Sequence, residues 1–549
     1  MKKQYVVGID FGTLSGRAVL VDPADGRELA EETVLYPHGV MDCNLPDGTP
    51  LPPLFALQHP QDYTDVLGAV RRILDRAGVD PADVAGMGID FTTCTMLPVD
   101  RNGTPLCLLP EFAGEPHAYV KLWKHHAAQP EADEITALAQ QRGEEWLACY
   151  GGKISSEWMF PKILETLRKA PRVYEATDRF TEAADWLSRI LTGVETHSAA
   201  FAGYKAIWNA ETGYPSDDFL SALDRRLHGI VGTKLSKKVL GVDQIAGTLD
   251  ERGNELTGLP VGTPLALPMP DAHVAMPALN VVDAGDMMLI VGTSGCHLLH
   301  GNEKKTVDGI CGYVLNGVIP GLYTYEAGQA AVGDIFDWFV KHHVPEEYCR
   351  EAAGRGISVH QLLREKAEQR KPGESGLIAL DWVNGNRSVL VNANLSGMMI
   401  GMTMRTRPED EYRAWIEATA YGTRMIVDQL ERFGINIRSI CAAGGIAKKD
   451  AMMMQIYADV TGKEIRVAAS SQAGALGSAI YAAVAAGIYP DLRAASRAMS
   501  APPIRTYRPI AENQKIYEKL YTEYKTLHDY FGRGENNVMS RLNQIRFGS

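Results

Sequence analysis

No stretch of this 549-residue chain stays apolar over the roughly 18 residues that a membrane-crossing helix requires. Nor does the N-terminus carry a basic segment leading into an apolar one, because the strand-like "QYVVGID" begins almost at once, and a secretory leader is not expected. Positive charge is in deficit. The 55 lysines and arginines face 67 aspartates and glutamates, and the resulting −12 argues against a nucleic-acid surface and for solubility. Cysteine is sparse: the eight residues are scattered and none stands in a CxxC pair, so neither a zinc site nor a disulfide framework is expected. Reduced thiols in a cytoplasmic protein are the expectation. What remains is ordinary globular composition, 45% hydrophobic and 22% charged, in a chain too long for a single core.

The informative features are turns. In "VVGIDFGTLSGRAVLVD", residues 6–22, two apolar runs flank a connection holding Asp10, Gly12, Thr13, Ser15 and Gly16. Such a pattern is a common hairpin signal. Glycine-freed amides and hydroxyls also make a concave anion site. A carboxylate beside it would repel phosphate unless a divalent cation lies between, as Mg²⁺ does when held by one or two carboxylates plus substrate phosphates. A similar pattern returns at 286–300, where "DMMLIVGTSGCHLLH" places Gly292–Thr293 between two apolar runs. A third turn, Gly444–Gly445 in "IRSICAAGGIAKKDAMMM", joins a strand to a helix and allows close approach of a ligand to the backbone. Helical periodicity marks "YTDVLGAVRRILDRAG", and a long helix is predicted to end at Gly434. "SSQAGALGSAIYAAVAAGIYP" reads as a small-residue helix that packs tightly. Strands alternating with helices predict an α/β sheet covered by helices. The weak internal repeat suggests two similar lobes with one loop each in a shared cleft. "PLALPMPDAHVAMPALN" is expected to interrupt the strands between them, giving lobes 1–275 and 276–549.

The order of these turns resembles the FGGY carbohydrate kinases, a branch of the two-lobed actin-like ATPase (ribonuclease H-like) fold. "DFGTLSGRA" is similar to the family's first phosphate loop, "VGTSGC" to the second and "AAGGIAKKD" to the adenosine turn. "LSGMMIGMTMRTRPEDEYRAWIEATAYG" is similar to its C-terminal signature. "ALQHPQDY", "KLWKHHA", "YGGKISSEW", "AGYKAIW", "DAHVAMPA", "YEAGQAAVGDIFDWF" and "DWVNGNRS" look like the ribulose-phosphorylating members. Leu14, Gly295, Asp450 and Thr93 depart from residues common among relatives.

The resemblance implies transfer of the ATP γ-phosphoryl group to the terminal C5 hydroxyl of a ketopentose, L-ribulose in L-arabinose catabolism, with ATP and Mg²⁺ required. Kinases for xylulose, D-ribulose or ribitol would share the phosphate machinery, and a sugar-binding protein without turnover would share the fold. Asp271 matches the family's catalytic base, although an acid before a helix is also a common N-cap. A sensor would be expected to lose that base. Asp10 is expected to hold the metal. Gly12, Thr13, Ser15, Arg17, Gly292 and Thr293 are expected at the phosphates, and Gly444, Gly445 and Ala447 at the adenosine. Thr93, Lys205, Glu326, Asp271 and Trp123 are expected at the sugar, with Lys124 nearby. The doublets His125–His126 and His342–His343 read as surface or capping residues rather than ligands. The partners implied are the sugar and ATP, with no nucleic acid or membrane, and a homodimer as the candidate assembly.

Overall fold

A computed structural model describes residues 4–236, 238–470 and 472–547. Two seven-stranded sheets dominate. In the first, β1 (Tyr5–Phe11), β2 (Ser15–Asp22) and β3 (Arg27–Leu35) form an antiparallel meander. β4 (Val84–Phe91) lies parallel to the other edge of β1, followed by β6 (Pro264–Ala266), which is parallel to β4, and by β5 (Ile245–Thr248), antiparallel to β6. The second sheet repeats this plan. β7 (Asp286–Val291) pairs antiparallel with β8 (Gly295–Gly301), and β8 with β10 (Tyr323–Gln329), while β9 (Gly312–Leu315) adds one strand outside β10. Beyond β7 come β11 (Ser439–Ala443) and β12 (Ile465–Val467), both parallel, and then antiparallel β13 (Arg505–Tyr507).

The central strands read as near-continuous apolar runs because helices cover both faces. Val6, Val7, Ile9 and Phe11 are buried along β1, as are Met287, Met288, Leu289 and Val291 along β7. The small-residue helix is present at Ala473–Ala485, and it binds the halves of the chain together. It lies on the first sheet, where a Cβ at Gly8 would stand 1.9 Å from the Ala475 carbonyl and one at Gly88 2.1 Å from that of Ser478. Only glycine permits that approach. On its other side, Gly477 meets Val274 in the Asp271–Ala278 helix.

Two local expectations need correction. The single helix expected in "YTDVLGAVRRILDRAG" is two, Pro60–Leu67 and Ala69–Ala77, meeting at Gly68, although Val66, Leu67, Val70 and Ile73 are all buried as the periodicity requires. The proline-rich stretch before Asp271 does not interrupt the sheet, since it contributes β6 and a short strand, Met269–Pro270, parallel to β4. The long helix runs Pro408–Arg432, and Gly434 just beyond it is left-handed (φ 84°), which suits glycine.

Candidate active site

The carboxyl ends of β1 and β4 place two acids side by side. Their pairing sets Gly8, Ile9, Asp10 and Phe11 against Gly88, Ile89, Asp90 and Phe91, so the same four residues repeat across the two strands. The Phe11 and Phe91 rings stack 4.3 Å apart beneath them. Asp90 is fully buried; Ser478 donates a 2.6 Å hydrogen bond to its Oδ2, and among the described residues its Oδ1 has no hydrogen-bond partner. Burial and the charge of Asp10 push Asp90 well above the usual carboxylate range. Burial raises Asp10 too, opposed by its interaction with Asp90 and by the Arg17 charge. Two close, desolvated carboxyls with a spare oxygen are a donor set that a hard divalent cation satisfies, so the residues present fit Mg²⁺.

Asp271 joins this cluster from the first turn of its helix. Pro270, not Asp271, occupies the N-cap position, and the Asp271 side chain accepts a 2.7 Å bond from the Ala272 amide. Burial, with the charges of Asp10 and Glu326, raises its pKa to about 7 against the amide bond and Lys205. A base poised near neutrality suits proton abstraction.

Across from it, Lys205 Nζ donates to both oxygens of Glu326 at 3.0 Å, joining a helix of the first half to β10 of the second. Burial opposes both charges, yet the pairing holds Lys205 above and Glu326 below its ordinary range. Lys205 also lies over the Trp158 ring, 5.7 Å from its centroid. Thr93 is half-buried in a turn whose next residue, Cys94, is left-handed (φ 63°). The buried Lys162 ammonium fixes that turn by donating to the Cys94 carbonyl at 2.6 Å and the Leu122 carbonyl at 3.0 Å. Burial lowers its pKa to about 8. Lys162 thus ties the Thr93 turn to the segment carrying Trp123.

The first glycine turn differs in detail from its expected use. The Gly12 amide donates to the Ser15 carbonyl at 3.0 Å, and the Gly292 amide to that of Ser294 at 3.0 Å. Both amides therefore donate inside their own turns. Arg17 is likewise engaged, donating to Thr33 at 2.9 Å and to Gln472. Trp123, expected at the sugar, donates from Nε1 to Thr13 Oγ1 at 3.2 Å, and so braces the first glycine turn; Lys124 sits over its ring. Gln58 of "ALQHPQDY" donates to the Thr13 carbonyl at 2.8 Å and is itself held by Tyr63. Ser15 begins β2, and Leu14 stands exposed at the tip between them.

In the second half, the Thr293 carbonyl accepts from the Val332 and Asp334 amides, fixing this loop to the following helix start. Gly444 adopts φ 102°, and a Cβ there would meet the Val291 carbonyl at 2.4 Å, whereas Gly445 faces open space and Ala447 is buried. Asp450 caps the Ala451–Thr461 helix by accepting from Met453 at 2.9 Å, which accounts for an acid at that position. Of the histidine doublets, His125 departs from expectation: it is wholly buried and bonds Glu165 at 2.8 Å.

Sequence reasoning missed Asp90, Trp158 and Lys162. Asp90 had a signal, the recurrence of "GIDF" at 8–11 and 88–91. A buried lysine paired only with carbonyls has none.

The chain matches the N-terminal domain of the FGGY family of carbohydrate kinases over residues 5–276 and its C-terminal domain over residues 287–486. It is 52% identical to a ribulokinase of Geobacillus thermodenitrificans, covering 99% of this chain and 97% of that protein. A ribulokinase of Staphylococcus aureus is 40% identical, with 99% of each covered. Among solved structures, a xylulose kinase from Lactobacillus acidophilus superposes with a TM-score of 0.79 at 19% identity, covering 96% of this chain and 98% of that one. A glycerol kinase from Plasmodium falciparum with ADP gives 0.77 at 17%, covering 96% and 98%. These likenesses carry the fold, a two-lobed mixed α/β architecture of the actin-like ATPase type. The matches to both domains and the shared identity along the whole chain establish that this kinase belongs to the FGGY family of carbohydrate kinases.

Proposed function

We propose that the protein phosphorylates L-ribulose at its C5 hydroxyl with ATP. The observation that carries this reading is Asp271, a half-buried carboxyl with a pKa of about 7 set between the Asp10–Asp90 pair and the Lys205–Glu326 pair. The relatives named ribulokinase supply the choice of sugar.

In this reading Lys205 and Glu326 bind sugar hydroxyls, and Thr93 lines the same pocket. Asp271 accepts the proton of the acceptor hydroxyl as its oxygen forms a bond to the γ-phosphorus; the bond to the bridging oxygen breaks, and ADP leaves with that electron pair. Because this transition state is loose and highly charged, positioning and charge balance matter most. Asp10, beside Asp90, is the residue to hold Mg²⁺, whose chemistry there is neutralisation of phosphate charge. Thr13 and Ser15 serve the phosphates by hydroxyl, Thr293 by hydroxyl and backbone, and Gly444, Gly445 and Ala447 accept the adenosine. We take the lobes to divide near residue 275, the chain to act in the cytoplasm, and a homodimer to be its assembly.

An ADP-release assay over L- and D-ribulose, the xyluloses and the matching pentitols tests the assignment. L-Ribulose should give the highest kcat/KM; ADP release with a xylulose or pentitol but not with ribulose would overturn it.

A further inference from the structure

Arg387 lies in "DWVNGNRS", a stretch to which no role has so far attached. Among the described residues its side chain has no hydrogen-bond or ion-pair partner. It is solvent-exposed although protein atoms crowd its side chain. The segment that carries it is rigid. Asn386 and Asn392 exchange backbone hydrogen bonds, Asn386 Oδ1 accepts from the Leu390 amide, and Ser388 Oγ accepts from the Gly328 amide on β10 at 3.2 Å.

Strand register fixes where the guanidinium lies. A Cβ at Gly328 would be 3.2 Å from Arg387 Cδ, 3.6 Å from one guanidinium nitrogen and 2.9 Å from the Gly295 carbonyl. The arginine therefore crosses the strand at Gly328 on the side of Gly295, which lies two residues past Thr293 of the second phosphate loop. Glu326 lies two residues earlier along β10, so it presents its side chain on the same face as Gly328. Arg387 thus stands between the second phosphate loop and the sugar-binding ion pair. Its charge helps to hold Glu326 below the ordinary carboxylate range, consistent with that placement. Glu157, on the other half of the chain, is among the charges it feels.

An unpaired guanidinium at such a junction has a natural ligand. Its planar array of donors matches phosphoryl oxygens, and cations supplied to a transferring phosphoryl group act on the charge of the transition state. We propose that Arg387 contacts the phosphoryl group in transit, and afterwards the phosphate of the sugar product. This inference rests on the phosphoryl-transfer reading above. As the acceptor oxygen bonds to phosphorus and ADP departs with the electrons of the broken bond, Arg387 donates to the equatorial oxygens while Asp271 keeps the abstracted proton.

Arg387→Met should lower kcat by about 100-fold or more while the KM for ribulose and for ATP changes less than about threefold. Arg387→Lys should keep an intermediate rate, added guanidinium ion should partly restore Arg387→Ala, and inhibition by ribulose 5-phosphate should weaken in Arg387→Met. Glu157→Gln should stay within about twofold of the unmodified protein. An unchanged kcat in Arg387→Met would overturn the inference, as would a raised sugar KM alone, which would make Arg387 a ligand of sugar hydroxyls. Equal, non-additive losses in Glu157→Gln and Arg387→Met would also overturn it, by making the arginine a latch between halves. If the unmodified protein releases no ADP with any sugar, the failure belongs to the proposed function instead.

Discussion

The two sheets share one plan but not one chemistry. In each, a hairpin with a glycine turn sits beside a parallel strand, in the order β3–β2–β1–β4–β6–β5 in one and β10–β8–β7–β11–β12–β13 in the other. Both turns spend their first glycine amide internally, on Ser15 in one and Ser294 in the other. Yet where β1 and β4 end with Asp10 opposite Asp90, β7 and β11 end with Ile290 opposite Ala443. A triphosphate faced by carboxylates from both sides would be repelled from both. In the proposed reading, acids at the β1–β4 end and neutral residues at the β7–β11 end would let a cation serve one face while the second holds the nucleotide by shape. The scaffold is duplicated, and the charge is not.

This contrast can be broken from either side. The largest effect belongs to the acidic half: Asp271→Asn should reduce kcat by about 1,000-fold or more while ribulose still binds, as calorimetric titration would show. At the neutral β7–β11 end, the proposed nucleotide contact is the backbone itself. Gly444→Val, strained at φ 102° and blocked by the Val291 carbonyl, should raise the KM for ATP at least about tenfold and lower stability by about 2–4 kcal/mol. Thermal unfolding and ATP-dependent rates would check both. Lys162→Met strips the donor from the Cys94 and Leu122 carbonyls and should raise the sugar KM by about tenfold, leaving that for ATP unchanged. The smallest change is Gly445→Ala, which meets open space and should leave ATP saturation within about twofold. A Gly445→Ala defect as large as that of Gly444→Val would show that the backbone argument is misplaced.

Much of this was legible in the sequence because glycine and acid positions are punctuation. The strand–turn–strand units, the small-residue helix and the Gly434 stop each followed from local rules. At the site, Asp10, Asp271, Lys205 and Glu326 were singled out in advance and stand together. Other contacts are set by tertiary geometry and leave no local trace. Trp123 reaches Thr13 across 110 residues, and Lys162 holds Cys94 across 68. The loss of the Gly12 and Gly292 amides to their own turns depends on dihedral detail that composition does not encode. The helix break at Gly68 likewise lay below the resolution of apolar periodicity, since both pieces bury the same face.

The pH dependence of kcat with saturating L-ribulose and ATP, compared between the unmodified protein and Asp271→Asn, tests the central claim most directly. Burial raises Asp271 to about 7, and only its deprotonated form can take the hydroxyl proton. The rate should therefore climb as pH rises through about 7 and then level. The low residual rate of Asp271→Asn should lack that limb. A variant that keeps both the rate and the limb would contradict the account.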